Sequence, residues 1–291
     1  MSIQTTPTLE ELARQALLRN EALAISALED LPTMLFPVLF KDAFNGRHTR
    51  IVKAMVAAWP FPCLPVGALM KTFNREIFQA VLDGLDVLLT QQVSPMRRKL
   101  QEIYFQWVHH EFWTGARTLD RQRSAETVSE KQALKPSPTR ELGQRLKLIT
   151  DLYFRFPLDE DEMSILQWAR QRKDSILLCC VNLKIVSLSL PNVRRILTVF
   201  EPEHLEMLEL SIDWSWCTLA QFAPYVSQMS NLHTLSLERI QKNRFRVDYI
   251  SGIEGDFAKE FIAEFTRLHS LQHLSLNGIF FPHDHMKLLL G

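Results

Sequence analysis

A leucine pattern that recurs in the second half of the chain restricts the folds that the sequence can adopt. The spacing L-x-x-L-x-L starts at Leu205, Leu232 and Leu271, and a looser copy starts at Leu178. The first three starts along the chain are 27 residues apart, within the range of about 20 to 29 residues that is typical of leucine-rich repeats. Each unit of this kind is one strand followed by one helix. We therefore predict an α/β fold, a leucine-rich-repeat solenoid with a parallel concave sheet.

Two further features extend the pattern. A degenerate copy at Leu100, Ile103 and Phe105 is predicted to be the first strand of the solenoid. The interval between the last two copies is 12 residues longer than the others, so the polar segment 241–255 is expected to loop out. Helices are predicted between the strands because apolar residues recur there at helical spacing, and they cover 193–200, 219–229 and 257–268.

The residues between the leucines define a candidate binding surface. The leucines at positions one, four and six of each copy face a shared core, and the residues between them face the other side of the sheet. Solenoids commonly use this concave side to bind partners. The side chains there are neutral or carry charges of both signs, which favours a protein partner over a polyanion. The predicted partner-binding residues are Glu102, Tyr104, Asn182, Lys184, Glu209, Ser211, Thr234, Ser236, Glu238, His273, Ser275 and Asn277.

Four parts make up the predicted domain organisation. A helical cap covers 1–95, where prolines limit the helices to a few turns and the stretch 73–89 carries an apolar stripe wide enough to pack against a core. The segment 96–113 holds the first degenerate repeat strand. Residues 114–140 contain no aromatic residue and two prolines, so a flexible linker or insertion is predicted there. Residues 141–291 hold the leucine-rich repeats, which we expect to be incomplete at the C-terminus.

The first helix of the cap has a clear start signal. Thr8 is followed three residues later by Glu11, the spacing of a capping box. The helix is therefore predicted to begin at Leu9. Leu9, Leu12 and Leu17 share one of its faces, because their spacing matches the helical period.

Composition and charge exclude several classes of partner. Thirty-three basic and thirty-three acidic side chains give no net charge, so direct nucleic-acid binding is not expected. No apolar run approaches the roughly 18 residues that cross a bilayer, so no membrane association is expected. We expect the protein in the cytoplasm, the nucleus or both. The four cysteines are expected to be reduced thiols, with Cys179 facing the core and Cys180 facing the concave side.

Motifs for catalysis or cofactor binding are absent from the sequence. It contains no GxGxxG, GxxxxGK[ST], GxSxG or HExxH. No histidine is placed beside a cysteine to activate it as a nucleophile. We therefore expect no enzyme activity, no cofactor and no metal site, and a protein that works by binding other proteins.

Three long stretches resemble a known family. Residues 9–44, 46–71 and 78–101 resemble the leucine-rich proteins related to the preferentially expressed antigen in melanoma, the PRAME family, which includes oocyte-expressed members. The segment LLCCVNLKI at 177–185 and the later repeats add to this resemblance. Members of the family are longer, so the resemblance implies a C-terminally truncated or alternatively spliced member. Its last repeat would then lack a cap and fray.

The resemblance implies a first role, the substrate receptor of a cullin-RING E3 ubiquitin ligase that directs proteasomal degradation. Such a receptor binds elongin B and elongin C through a helix, here 17–26, and a cullin scaffold through the segment that follows. The alternative is that both segments are ordinary helices that close the N-terminal end of the repeats. Ala22 stands where the elongin-binding motif has a cysteine. The candidate contact residues are Leu17, Leu18, Ala22, Leu31, Pro32 and Leu35.

A second role that the resemblance implies is corepression of nuclear receptors. It would act on retinoic acid receptor signalling and so affect proliferation, differentiation and apoptosis. Leu85, Leu88 and Leu89 form an LxxLL motif, which can place three leucines in a receptor groove as a short amphipathic helix. The alternative is that these leucines are core residues, because the same helix continues the apolar stripe of 73–89.

Overall fold

The chain divides into two units in a computed structural model. The first unit is Met1–Leu146 and the second is Lys147–Gly291. The residues that the structure describes are 8–90, 99–106, 113, 145–158, 160–211, 214–238, 250–265 and 267–278. The predicted linker at 114–140 lies outside these residues, as do 96–98 and 107–112 of the segment predicted to hold the first repeat strand.

The first unit consists mainly of helices. Its helices are α1 (Leu9–Leu18), α2 (Glu21–Ser26), α3 (Phe36–Asn45), α4 (Thr49–Ala57) and α5 (Arg75–Thr90). Short 3₁₀ turns cover Ala27–Glu29, Thr33–Leu35 and Gly67–Leu69. Two strands, β1 (Cys63–Leu64) and β2 (Glu102–Tyr104), complete its described elements.

The predicted capping box at the start of α1 is confirmed. The hydroxyl oxygen of Thr8 accepts a hydrogen bond from the Glu11 backbone N–H at 3.2 Å, and the Glu11 carboxylate accepts one from the Thr8 backbone N–H at 2.8 Å. Both groups would otherwise be among the unpaired donors of the first helical turn. The helix begins at Leu9, as predicted.

An aromatic cluster forms the centre of the first unit. The ring of Phe40 lies 5.1 Å from that of Trp59 and 5.6 Å from that of Trp113, measured between centroids. Each indole N–H is satisfied by a main-chain oxygen: Trp59 donates to Cys63 and Trp113 donates to Pro65, both at 2.9 Å. These bonds remove the cost of burying two polar atoms, and they attach the cluster to the chain around β1.

Strands β1 and β2 pair in parallel, with Cys63 opposite Glu102 and Leu64 opposite Ile103. The predicted strand near Leu100 is therefore present, but it is not the first strand of the chain. The sequence pattern does not predict β1, because this strand has two residues between prolines, which break the alternation by which strands are recognised.

The second unit alternates strands with helices. Its strands are β3 (Leu146–Arg155), β4 (Ile176–Val186), β5 (Met207–Ser211), β6 (Thr234–Glu238) and β7 (His273–Asn277). They lie side by side in chain order. Its helices are α6 (Glu160–Gln171), α7 (Leu190–Leu197), α8 (Trp216–Val226) and α9 (Ile250–Phe265). Strand β3 was not predicted, because its copy of the spacing is degenerate: Ile149, Leu152 and Phe154 stand at positions one, four and six.

Parallel pairing holds the leucines of neighbouring strands at the same level. Leu183 lies opposite Leu208, which lies opposite Leu235, and Ile185, Leu210 and Leu237 form the next level. All six side chains are at most 1% exposed. Each strand therefore extends one continuous apolar layer, and its burial supplies most of the driving force for stacking.

The register corrects the predicted start of the first of these copies. The N–H of Glu206 donates to the oxygen of Val181, just as His233 donates to Glu206 and Gln272 donates to His233. The counterpart of Leu205 is therefore Cys180 rather than Leu178, and that unit is 25 residues long rather than 27. A slip of two residues keeps every side chain on its face, so apolar spacing alone cannot exclude it.

The last copy departs from the predicted burial. Leu274 lies opposite Leu235 but is 38% exposed, whereas Leu235 is fully buried. Leu271 and Leu276 are half-buried. Among the described strands, β7 has a neighbour on one side, which is β6. The prediction that the leucines of all copies face a closed core is wrong for Leu274, because the described sheet has no strand on the other side of β7 to cover it.

The predicted helices of the second unit are present but begin earlier. Helices α7 and α8 each begin three residues before the predicted position, and α9 begins seven residues before it. The segment expected to loop out at 241–255 is helical in its last six residues, 250–255, and its first nine lie outside the described residues. The buried Leu190 and Trp216 stand one helical turn before the predicted starts of α7 and α8, so the apolar stripe already begins there.

Substitution at position four of two neighbouring copies tests this packing. Leu235→Ala should lower the free energy of unfolding by about 2 to 5 kcal/mol, because it leaves a cavity in a closed core. Leu274→Ala, at the same position of the next copy, should cost about 1 kcal/mol or less, because its side chain is already partly in water. Urea denaturation measures both values, and equal losses would contradict the stacking.

Candidate partner-binding surfaces

The predicted concave residues of the second unit come together on one side of its sheet, which we call the strand face. Pairing places them, together with Met207 and Val186, in three rows. The rows are Asn182, Met207, Thr234 and His273; then Lys184, Glu209, Ser236 and Ser275; then Val186, Ser211, Glu238 and Asn277. All are half-buried or exposed except Ser211, which is buried. The same sheet thus carries an apolar side and an accessible polar side.

The remaining two predicted concave residues lie on β2, in the first unit. Glu102 and Tyr104 are both half-buried. The Tyr104 hydroxyl donates to the Glu102 carboxylate at 2.6 Å. The charge of Glu102 also acts on Cys63 across the strand pair, where burial and then this charge raise the pKa of the thiol.

Cys180 was expected on the concave side, and this expectation is wrong. Both Cys179 and Cys180 are buried, at 2% and 0% exposure. Cys180 occupies position one of its copy, in the middle of β4, where the alternation of buried and half-buried residues is interrupted. Burial raises the pKa of the Cys180 thiol, and the charge of Asp151 adds to this effect. Val186 takes the third outward position on β4 instead.

A charged pair crosses the middle of the strand face. The ammonium group of Lys184 forms an ion pair with Glu209 on the next strand. It also lies 6.0 Å from the centroid of the Tyr153 ring. The hydrogen bond to Glu209 raises the pKa of Lys184, and the charge of Glu238 acts in the same direction. Both partners are partly in water, so the pair adds little to stability, and it remains accessible to a ligand.

Strand β3 adds residues to the strand face that the sequence analysis did not predict. One oxygen of Asp151 accepts from the backbone N–H of Asn182 at 3.1 Å and from its side-chain amide at 2.8 Å. Tyr153 is 44% exposed and Met207, on β5, is 40% exposed. The face therefore offers apolar surface beside its ion pair. The sequence signal that could have found β3 was the period-two spacing of apolar residues at Leu146, Leu148, Leu152 and Phe154.

The candidate elongin-binding helix is interrupted in the structure. Helix α1 ends at Leu18 and α2 begins at Glu21, so the prediction of one helix over 17–26 is wrong. Asn20 is the cause: its backbone is extended, and its side-chain oxygen accepts from the Leu23 N–H at 3.1 Å. Leu17 is half-buried, Leu18 is buried and Ala22 is exposed.

The candidate cullin-contact residues form the turn that follows. Pro32 precedes the 3₁₀ turn Thr33–Leu35, as expected for a proline that opens a short helix. Leu31 and Leu35 are half-buried and Pro32 is exposed.

Large apolar side chains stand in water around these two segments. Leu9 is 84% exposed, Leu12 is 47% exposed, Leu23 is 53% exposed and Met34 is 65% exposed. We call these four residues the N-terminal apolar surface. Of all the residues of α1, Leu18 is the one that is buried, so the apolar face predicted through Leu9 and Leu12 does not pack against the described core. The exposed apolar side of an amphipathic helix is the surface that a partner helix or groove can bury when it binds.

The LxxLL motif lies inside helix α5 and faces the core. Leu85 is fully buried, Leu88 is 8% exposed and Leu89 is half-buried. A backbone approach fixes the helix in place: a side chain at Gly84 would lie 2.6 Å from the Lys53 oxygen on α4. A receptor could reach the three leucines only after α5 had left the core.

The described residues include no group of three His, Cys, Asp or Glu side chains that could hold a metal ion. Within the same residues, no helix has the length and apolarity to cross a membrane.

Truncation of the LxxLL leucines should separate packing from binding. Leu85→Ala should lower the free energy of unfolding by about 2 to 5 kcal/mol, because the side chain is enclosed. Leu89→Ala should cost about 1 kcal/mol or less, since that side chain is partly exposed. Urea denaturation measures both values. Unchanged stability in Leu85→Ala would contradict the packing and favour a free motif.

Thiol labelling tests the register at Cys180. In the native protein an alkylating reagent should modify Cys217, which is half-buried, while Cys179 and Cys180 react only after denaturation. The raised pKa of Cys180 further suppresses its reactive thiolate. Peptide mass spectrometry after timed labelling measures the order, and early modification of Cys180 would place it on the accessible side.

Comparisons with known proteins cover both units. The PRAME N-terminal domain matches residues 6–113, and the PRAME C-terminal domain matches residues 146–290. Over its full length the chain is 40% identical to PRAME family member 20, 39% identical to PRAME family member 12 and 37% identical to PRAME family member 8, all of Homo sapiens. It spans 61%, 59% and 60% of these curated relatives. No solved structure matches the chain.

Proposed function

Because the chain belongs to the PRAME family, we propose that it is a non-enzymatic adaptor that binds other proteins, and that it serves as the substrate-recognition subunit of a cullin-RING E3 ubiquitin ligase. In this proposal the second unit is a leucine-rich-repeat solenoid. Elongin B, elongin C and a cullin bind the first unit, and the target binds the strand face. The proposed location is the cytoplasm, the nucleus or both.

The N-terminal apolar surface is the observation that carries this proposal. Leu23 on α2 and Met34 in the turn after Pro32 lie in the segments that the family resemblance assigns to the ligase partners. Leu9 and Leu12 lie on α1, N-terminal to these segments. Exposed apolar side chains on consecutive elements contribute to binding when a partner removes them from water. The capping box of α1 and the Asn20 cap of α2 are hydrogen bonds between residues close in the chain. These helices, and the surface that they carry, therefore form without a partner.

The break between α1 and α2 defines which residues would make the contacts. Helix α2 has six residues, and Leu18 is directed into the unit. Ala22 and Leu23 are exposed side by side at the start of α2. The proposed elongin contact is therefore formed by the two short helices together, and Ala22 supports it as a small residue rather than through the cysteine of the motif.

The strand face suits selection of a protein target. It presents the ring of Tyr153 and the thioether of Met207 near the Lys184–Glu209 ion pair. Aromatic and methionine side chains are enriched where proteins bind each other. Charges of both signs select a partner of complementary pattern rather than a polyanion.

The alternative is a corepressor of retinoic acid receptor signalling that uses the LxxLL motif. The burial of Leu85 and Leu88 counts against it, because binding would have to compensate for the loss of core packing. We place this role second for that reason.

The ligase proposal makes a direct prediction about elongin. The full chain, co-expressed with elongin B and elongin C, should co-purify with both. The double change Ala22→Asp and Leu23→Asp should weaken this binding by about tenfold or more, because it places two charges in the proposed apolar contact. Both positions are exposed, so the fold should be retained, which circular dichroism checks.

Two variants make the experiment specific. Phe73→Asp changes a side chain as exposed as Leu23, at 53%, but outside the N-terminal apolar surface, and it should leave elongin binding unchanged. Met34→Asp should reduce cullin recruitment while elongin remains bound, because Met34 lies in the turn after Pro32. A wild-type chain that never recruits elongin would end the proposal, and so would equal losses in Phe73→Asp and the double variant.

A further inference from the structure

A cleft opens in the first unit between the end of α3 and the start of α5, away from any residue used above. Its volume is about 240 Å³. Apolar side chains, among them Phe44, Leu69 and Ile77, form its floor, and Arg47 and Lys71 lie at its edge. Pockets for drug-sized ligands are roughly 300 to 1,000 Å³, so this cleft fits one side chain or a molecule of similar size.

The end of α3 fixes the backbone at Arg47. The His48 N–H donates to Ala43 at 2.9 Å and the Arg47 N–H donates to Phe44 at 3.2 Å, the two bonds of a Schellman motif. This motif places Arg47 in the left-handed region, with φ at 59°. Glycine is the usual residue there, because side chains destabilise this conformation. The chain instead places a guanidinium group at the edge of the cleft.

The charge of the cleft is positive. Arg47 and Lys71 are both exposed, and among the described residues neither has a carboxylate within ion-pair distance. None of the residues that line the cleft is acidic. Asp42, one turn back on α3, is already bound by Arg14, with 2.9 Å between Nε and Oδ2.

Neutral polar groups complete the edge. The side chains of Asn45 and Thr72 are exposed there. Asn74, which also lines the cleft, directly precedes α5. Its side-chain oxygen accepts a hydrogen bond from the Ile77 N–H in the first turn of that helix, at 3.0 Å. The N-terminus of this 16-residue helix lies beside the cleft, and Glu76 in its first turn opposes the partial positive charge there, so the charge of the cleft comes from the two cations.

We propose that this cleft binds a phosphate monoester, of the size of one phosphorylated side chain. A phosphate monoester carries a charge of about −1.5 to −2 at pH 7. Two cations neutralise this charge, whereas a carboxylate carries a single negative charge and would leave one cation without a counterion. Arginine and lysine donate to its oxygens, and amide and hydroxyl groups supply further hydrogen bonds. The carbon part of the ligand contacts the apolar floor. This site is independent of the ligase proposal and would survive its failure.

Titration of the full chain with a short peptide that carries one phosphoserine tests the site, with isothermal calorimetry as the readout. The phosphopeptide should bind saturably and its unphosphorylated form should not. Inorganic phosphate should bind more weakly, because it lacks the carbon part. Arg47→Gly should reduce phosphopeptide affinity by about tenfold or more while the fold is retained, since glycine is favoured at this backbone conformation. Lys71→Gln, at an exposed position, should cause a similar loss.

Arg50→Gln is the matched control. It removes the same charge from an exposed side chain of α4 that pairs with Glu21 at 3.2 Å and does not line the cleft, so it should leave the affinity unchanged. Absence of binding by the wild-type chain would overturn the proposal. So would binding of inorganic phosphate without the phosphopeptide, equal binding of both peptides, or losses in Arg50→Gln as large as those in Arg47→Gly.

Discussion

The second unit depends on parallel pairing that brings an apolar side chain of one strand level with that of the next. Leu183, Leu208 and Leu235 form one such level, and burial of this layer is what each strand and helix contributes to its neighbours. The polar groups on the opposite face follow from the same pairing, because side chains alternate along a strand. The core thereby determines the order of Lys184, Glu209 and the other residues of the strand face.

Much of this organisation could be predicted from the sequence, because the leucine spacing reports directly on the core. The strands at 207–211, 234–238 and 273–277 and the helices between them follow from it. The start of the copy at Cys180 did not, since a shift of two residues preserves every apolar face and the backbone hydrogen bonds are needed to choose. Strand β3 was missed because its copy of the spacing is degenerate, with Ile149 and Phe154 at positions that hold leucine in the clear copies.

The candidate sites were harder to predict, because accessibility is a property of the tertiary structure. A leucine stripe has the same spacing on α1 and on α5. In the structure, α5 buries Leu85 and Leu88, whereas α1 leaves Leu9 and Leu12 in water. The packing of Gly84 against α4 accounts for the first result. Helix α1 has ten residues, and Leu18 is the one that is buried. The local sequence does not indicate this, because the apolar spacing of α1 is that of a helix which packs against a core.

The units between equivalent positions are unequal, with 25 residues from Cys180 to Leu205, 27 from Leu205 to Leu232 and 39 from Leu232 to Leu271, yet the strands stay in register. Length variation is therefore confined to the connections that follow each strand. Insertions and deletions can accumulate in those connections during evolution without displacing any group that contacts a target. Recognition specificity and loop length can thus diverge independently in this chain, and an engineer could shorten the longest connection while keeping the array of outward side chains intact.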